Sequence, residues 1–448
     1  MSESYDLWVR GGTVVPMVKD GEWFTGDVLV RQGRIAAVTR GSAGEVRADE
    51  VLDAEGCLVL PGLIQSHVHV VQSLLRHNAD NLELLDWLKR RTWPYEASLD
   101  GDGVEAAARL GFAELLCGGT TTVLDFGTTH DHDRVFAAAE AMGIRCLSGK
   151  THMDVGDGVP AGLLEDTERS LAEAEELGRR WHGAAGGRLR YAVAPRFALS
   201  CSRRLLTGCA ELARDNGWLL QTHASENRNE LAEVRRRTGM GNIEYLQSVG
   251  MTGPDVILAH GVHLDDADRE ILSATGTGIC HCPGANLKLA SGIADVPAML
   301  RAGITVGLGA DGAPCNNRLS AFHEMALAGT LHNVRHGPKA VNPWTVLAMV
   351  TRTAARLLHL EETVGTLHPG MAADVVVLDG NAWPLLPGGD PAVRVVHGAS
   401  ACHVLHTVVS GRIVVHDGIL VADDPVEVTR RSREAADAVF QRMEELVT

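Results

Sequence analysis

The sequence predicts an α/β protein: a TIM-like (β/α)8 barrel carrying a small discontinuous β-sandwich domain formed by both chain ends. Three observations predict it. Between residues 61 and 365, short apolar strand candidates alternate with longer helical patterns, as βα units around a parallel sheet do. On either side of that stretch the texture changes to short strands punctuated by turn signals such as Gly11-Gly12 and Gln32-Gly33. Histidines and an aspartate recur where the barrel-strand candidates end, and barrels place their chemistry at the C-terminal strand ends. The boundaries that follow are 1–60 with 366–425 for the composite β domain, 61–365 for the barrel and 426–448 for a closing helix.

Each element has its own signal. The N-terminal strand candidates span 7–10, 27–30 and 34–38. The eight barrel candidates are the stretch around His67, then 120–126, 145–152, 189–195, 218–223, 256–260, 276–281 and 304–310. Helical patterns at 103–117, 131–141, 163–177 and 203–216 lie between them. Strand texture returns at 373–379, 404–410 and 413–416, and Ala436, Val439, Phe440 and Met443 fall at roughly helical spacing near the end. A doubly wound sheet is the alternative architecture, but it accounts less well for the placement of the histidines.

Composition bounds the function. A chain of 448 residues with 45% hydrophobic and 22% charged residues buries a large core in the manner of ordinary globular proteins. The net charge of −16 argues against nucleic acid or an anionic membrane as a partner. No apolar run reaches the length of a membrane span, and no signal-type segment follows the polar start Met1–Tyr5. Nine cysteines, mostly within apolar runs, read as reduced thiols, so a cytoplasmic location is expected. A small-molecule partner and a homo-oligomer, dimer or larger, complete the expectation.

The run Leu60-Pro61-Gly62-Leu63-Ile64-Gln65-Ser66-His67-Val68-His69-Val70 sets two histidines on one face of a strand. Two buried imidazoles need partners, and a shared metal ion supplies one. Taken alone, the pair reads equally well as satisfied core histidines. His223, His260 and Asp311 close the fifth, sixth and eighth strand candidates. Three histidines and an aspartate can hold Zn2+ with a position open for water, and their joint placement decides for a metal site. Glu226, three residues past His223, falls in the adjoining loop, where it can handle protons.

Several runs carry a resemblance: Pro61-Gly62-Leu63 with His67-Val68-His69, Gln221-Thr222-His223-Ala224-Ser225-Glu226-Asn227, Leu258-Ala259-His260-Gly261, His281-Cys282-Pro283-Gly284-Ala285-Asn286-Leu287-Lys288-Leu289 and Gly307-Leu308-Gly309-Ala310-Asp311-Gly312. With these the chain resembles the amidohydrolase superfamily, in its branch of cytosine/guanine/adenosine-type deaminases and triazine chlorohydrolases. The resemblance implies metal ligands His67, His69, His223 and Asp311, with His260 orienting the attacking water and Glu226 delivering a proton to a ring nitrogen. It implies one Zn2+, with Fe2+ or Mn2+ as alternatives, because the fourth strand lacks the lysine that bridges two metals in many members. The implied reaction is hydrolytic deamination of an aminated purine or related N-heterocycle, with Glu226, His260 and Asp311 catalytic and ammonia released. The smaller zinc deaminases with an H-x-E…P-C-x-x-C signature fit poorly, since Pro314-Cys315-Asn316-Asn317 lacks the second cysteine.

The substrate reading rests on Gln72, Trp87, Glu96, Lys150, Arg196 and Cys315. Arg196 after Pro195, together with Gln72 and Lys150, resembles guanine deaminases, and arginine's five donors suit a ring that carries a carbonyl. A guanine-like base is therefore placed first. Trp87 and Glu96 resemble a ribose-contacting segment, and Cys315 stands where nucleoside deaminases often have serine. A 5′-deoxyadenosine, methylthioadenosine or adenosine-type nucleoside is the alternative. A triazine chlorohydrolase or aminohydrolase and a non-catalytic assembly protein on the same fold are the remaining readings.

Overall fold

The chain passes from one sheet into the other at Gly62, where a Cβ would lie 2.2 Å from Thr121 Oγ1. In the computed structural model, which describes residues 4–447, five strands precede that point: β1 (Ser4–Val14), β2 (Phe24–Arg31), β3 (Arg34–Arg40), β4 (Arg47–Asp53) and β5 (Leu58–Pro61). The barrel strands follow as β6 (Leu63–His69), β7 (Thr120–Asp125), β8 (Arg145–Ser148), β9 (Thr151–His152), β10 (Leu189–Pro195), β11 (Leu219–Ala224), β12 (Val256–His260), β13 (Gly278–His281), β14 (Val306–Leu308) and β15 (Asp311–Gly312). Strands β16 (Val375–Leu378), β17 (Val404–Val409), β18 (Arg412–His416) and β19 (Ile419–Leu420) then return to the first sheet. Each of the eight barrel-strand candidates is a strand, with β8 and β9 sharing the third and β14 and β15 the eighth.

All barrel pairings are parallel, in the order β14-β13-β12-β11-β10-β8-β7-β6-β15, with β9 beside β10. Strands buried on both faces are expected to read as continuous apolar or β-branched runs, and Thr120-Thr121-Thr122-Val123-Leu124 does. The eighth strand is broken. Its first half pairs with β13 and its second with β6, so the two ends of the curled sheet meet through it. Gly309 lies in the break, where a Cβ would stand 2.4 Å from the His67 carbonyl oxygen; only glycine lets the backbones approach that closely.

The other sheet has nine strands of mixed direction, ordered β19-β18-β17-β16-β5-β1-β2-β3, with β4 on β1. One edge of β1 pairs with β4 along its first half and with β5 near its end. The two sides of the expected sandwich are therefore linked through β1 into one continuous sheet. Alternation gives it two buried faces. Val59, Val375 and Val377 pack into its own core with Leu7, Val9 and Val28, whereas Leu58, Leu60, Val376 and Leu378 pack against the barrel. Arg145, the first residue of β8, forms a buried ion pair with Asp374 at 3.1 Å, pinning barrel to sheet. The last helix, Pro425–Val447, lies along the helix Gly101–Cys117.

Candidate functional site

The histidines lie at or near the C-terminal ends of buried barrel strands. His67 and His69 come from β6, His223 from β11, His260 from β12 and Asp311 from β15. His260 and Asp311 have left the extended conformation, with φ of +75° and +60°. Left-handed backbone at non-glycine residues stores strain, and such strain clusters at working sites.

Ligand atoms of His67, His69, His223 and Asp311 all lie within 4.8 Å of one another. Asp311 Oδ1 stands 3.5 Å from His67 Nε2 and 3.3 Å from His69 Nε2. The Nδ1–H of His223 donates to the Arg196 carbonyl at 2.7 Å, which leaves its Nε2 as a bare acceptor, 3.1 Å from His69 Nε2. His67 Nε2 is buried and has no hydrogen-bond partner. Burial pushes the imidazoles of His69 and His223 well below their usual range, and the surrounding imidazoles push the same way. Neutral, converging imidazole nitrogens beside a carboxylate are the donor set that zinc takes. The residues present fit such an ion.

Glu226 follows β11 through Ser225, whose φ is +53°. Its Oε2 is 3.5 Å from His260 Nε2, and its Oε1 accepts the Ser291 hydroxyl at 3.3 Å. Burial raises its carboxyl to about 8, with the Asp311 charge adding. A carboxylic acid kept protonated near neutral pH is a proton donor.

A cavity opens over these groups. Its apolar wall is Leu84, Trp87, Leu88, Phe197 and Leu289, and Gln72, Arg196 and Glu230 add polar surface. Of the six sequence-assigned substrate contacts, Gln72, Trp87 and Arg196 line it. Glu96 stands behind, one carboxylate oxygen accepting from Gln72 Nε2 at 2.9 Å and the other from Arg196 Nη1 at 2.5 Å. Two of the assigned residues lie apart from this wall. Lys150 is fully buried with Nζ 2.7 Å from both Glu165 and Glu173, so two carboxylates draw it away from the cavity. Cys315 donates to the Gly312 carbonyl at 3.0 Å within the short helix Ala313–Asn316, and neither residue is part of the cavity wall.

Other residues carry no sequence-level assignment. Glu230 accepts the backbone N–H of Glu226 at 2.8 Å and of Asn227 at 3.3 Å, the capping box that starts the next helix. Asp125 accepts the Val70 N–H at 2.9 Å and the Ser148 hydroxyl at 2.6 Å, fixing the backbone just past His69. Asn286 accepts the His260 Nδ1–H at 2.9 Å. Asn-x-x-Glu over Asn227–Glu230 is the one sequence signal that could have revealed a member of this group. A second cluster, His406, His416 and Asp417, lies outside the cavity. There Asp417 already donates its N–H to His406 Nδ1 at 3.3 Å, and its carboxylate faces His416 at 3.2 Å, so local pairing accounts for it.

The amidohydrolase family description matches residues 58–414. Over 435 residues the chain is 39% identical to a 5-methylthioadenosine/S-adenosylhomocysteine deaminase of Symbiobacterium thermophilum, covering 96% of this chain and 98% of that one. It is 38% identical over 397 residues to a 5′-deoxyadenosine deaminase of Methanothermobacter thermautotrophicus, covering 88% and 90%. Its fold matches the structure of an adenosine deaminase from Xanthomonas campestris with bound zinc at a TM-score of 0.91 and 26% identity, over 98% of this chain and 100% of that one. These relatives favour the nucleoside alternative over the guanine-like base that the sequence reading placed first.

Proposed function

The chain belongs to the amidohydrolase family, and on that premise we propose that it is a metal-dependent deaminase of adenine nucleosides with an apolar 5′ end, of the 5′-deoxyadenosine or methylthioadenosine kind. The observation that carries the reaction is Glu226, a buried acid 3.5 Å from His260 and beside the group His67, His69, His223 and Asp311. Those four residues would hold a Zn2+ ion, which would supply the Lewis acidity that brings a water's pKa to about 7. His260 Nε2 orients the attacking water, and Asp311, whose Oδ2 lies 3.9 Å from that nitrogen, takes up its proton. Glu226 Oε2 delivers a proton to the ring nitrogen beside the amino-bearing carbon. The proton held by Asp311 passes to the amino group, which leaves as ammonia, while the new hydroxyl returns its proton to Glu226 and becomes a carbonyl.

Five apolar side chains form much of the cavity wall, and Arg196 is the only cationic side chain among the described residues that line it. Because its charge is already paired with Glu96, a zwitterionic homocysteine tail meets no unpaired cation there. This supports short apolar 5′ groups over S-adenosylhomocysteine.

One observation favours a second reading, an oxo-bearing base. Gln72 Oε1 is buried without a partner, and Arg196 beside it has N–H groups beyond the one given to Glu96. Together they would meet the N–H and C=O of a lactam edge.

Ammonia release from zinc-loaded protein decides, measured with 5′-deoxyadenosine, methylthioadenosine, S-adenosylhomocysteine, adenosine, guanine, 8-oxoguanine and a chlorotriazine. The expected result is the highest kcat/KM on the first two. Preference for guanine or 8-oxoguanine would install the second reading, and inactivity on all the purines would end the deaminase assignment.

A further inference from the structure

Glu226 follows β11 and His260 ends β12, yet one short turn holds both. After the helix Pro283–Lys288 the chain turns through Ala290, at a φ of +54°, into Ser291. Asn286 Oδ1 accepts the His260 Nδ1–H at 2.9 Å, and Ser291 Oγ donates to Glu226 Oε1 at 3.3 Å. Asn286 and Ser291 are also tied to each other, because the Asn286 carbonyl accepts the N–H of Ser291 at 2.8 Å and of Gly292 at 3.3 Å. A third tie closes the loop. His263 donates Nε2–H to the Ser291 carbonyl at 2.8 Å and its backbone N–H to the Ser225 carbonyl at 3.0 Å, which joins the turn to the segment that presents Glu226. Both side chains are buried, Asn286 at 1% and Ser291 at 4% exposure, so water does not compete for these bonds.

The consequences for the two proton-handling groups are specific. With its Nδ1–H given to Asn286, His260 presents its Nε2 to Glu226 and Asp311. With Oε1 engaged by a hydroxyl donor, the oxygen of Glu226 left free to carry a proton is Oε2, which faces His260 at 3.5 Å. We propose that Asn286 and Ser291 are positioning residues, and that their turn sets the tautomer of His260 and the proton-bearing oxygen of Glu226 together. The proposal rests on the reading above, in which Glu226 and His260 act in proton transfer. A turn that only packs against the barrel would affect stability and leave the alignment of these two groups alone.

The test uses zinc-loaded full-length protein and whichever nucleoside is deaminated best. Ser291→Ala and Asn286→Leu are each expected to lower kcat roughly ten-fold, the scale of one lost hydrogen bond at a reacting group. KM should stay within about two-fold, as when an interaction felt mainly in the transition state is removed. Bound zinc should be unchanged. Ser291→Thr, which keeps the hydroxyl, and Asn286→Asp, which keeps the acceptor, should each restore most of kcat. The double variant Ser291→Ala/Asn286→Leu should lose less than the product of the single losses, the mark of groups acting as a unit. The proposal is overturned if Ser291→Ala keeps wild-type kcat while Glu226→Gln abolishes turnover. It is equally overturned if the single variants lose only thermal stability or zinc, or if the conservative variants fail to rescue. An active Glu226→Gln would instead remove the underlying reading, so the two failures are told apart.

Discussion

Asp311 and Glu226 are two buried carboxyl groups in one cavity with opposite requirements. Asp311 must be ionised to serve as a ligand, and Glu226 must be protonated to act as an acid; burial and the Asp311 charge favour that division. Substitution should separate the two roles. Glu226→Gln is expected to keep its metal and lose turnover by two or more decades, on the order of what positioned acid–base groups contribute. Asp311→Asn is expected to lose turnover and metal affinity together, and metal analysis beside ammonia release checks both. Near-wild-type turnover in either variant would defeat the assignment. Arg196 offers a substrate-level test: Arg196→Ala should cost more on oxo-bearing bases than on adenine nucleosides, and equal losses would show that it does not read the ring. The ligands are legible in the sequence because a histidine or aspartate that closes an apolar strand is costly to bury unless something binds it. Asn286 and Ser291 are not, since their partners lie 26 and 65 residues away and contact across a barrel leaves no local pattern. Lys150 misleads because its position on a strand says nothing about which carboxylates will draw it. Those carboxylates, Glu165 and Glu173, lie 15 and 23 residues further along.

At the scale of elements, the eighth strand does the most to assemble the site. Its break at Gly309 allows β14 to pair with one neighbour of the barrel seam and β15 with the other. The second half brings Asp311 opposite Val68, between the two histidine ligands of β6. Sequence periodicity gives the existence of that strand but not the break, because a three-residue run and a two-residue run are too short to show a period. Gly309→Ala tests the geometry. A Cβ there would meet the His67 carbonyl at 2.4 Å and the Cys280 Sγ at 2.9 Å, so the strands must separate. Overpacking of this kind costs about 1–3 kcal/mol. The expected outcome is a lower denaturation midpoint accompanied by weakened zinc binding, since the displaced backbone carries His67. A variant that loses stability but binds zinc as tightly as the wild type would show that the break does not set the ligand geometry.

Across the whole molecule the two ends of the barrel divide their tasks: in such folds the C-terminal strand ends carry chemistry and the N-terminal ends carry stability. The Arg145–Asp374 pair lies at the latter end, with side chains only 4% and 1% exposed. Arg145 Nε also donates to Asp374 Oδ2 at 3.3 Å, Arg145 Nη2 to Ser410 Oγ at 2.9 Å, and the Ser410 N–H to Asp374 Oδ1 at 2.8 Å. One barrel strand and two segments of the mixed sheet thus share a single buried network. Removing one partner strands a desolvated charge, which costs about 3–5 kcal/mol, whereas replacing both with apolar residues is often near neutral. Asp374→Ala should therefore lower unfolding free energy in denaturant by that amount. Arg145→Met/Asp374→Leu should recover most of it, short of wild type because the Ser410 N–H stays unpaired at a cost of about 1–3 kcal/mol. Under native conditions both proteins should keep kcat, because the network lies at the end of the strands opposite His67, His69, His223 and Asp311. A double variant no more stable than the single one would mean that packing of the two side chains, rather than their charges, joins barrel to sheet. A fall in kcat with the fold intact would mean that the two ends of the barrel are mechanically coupled.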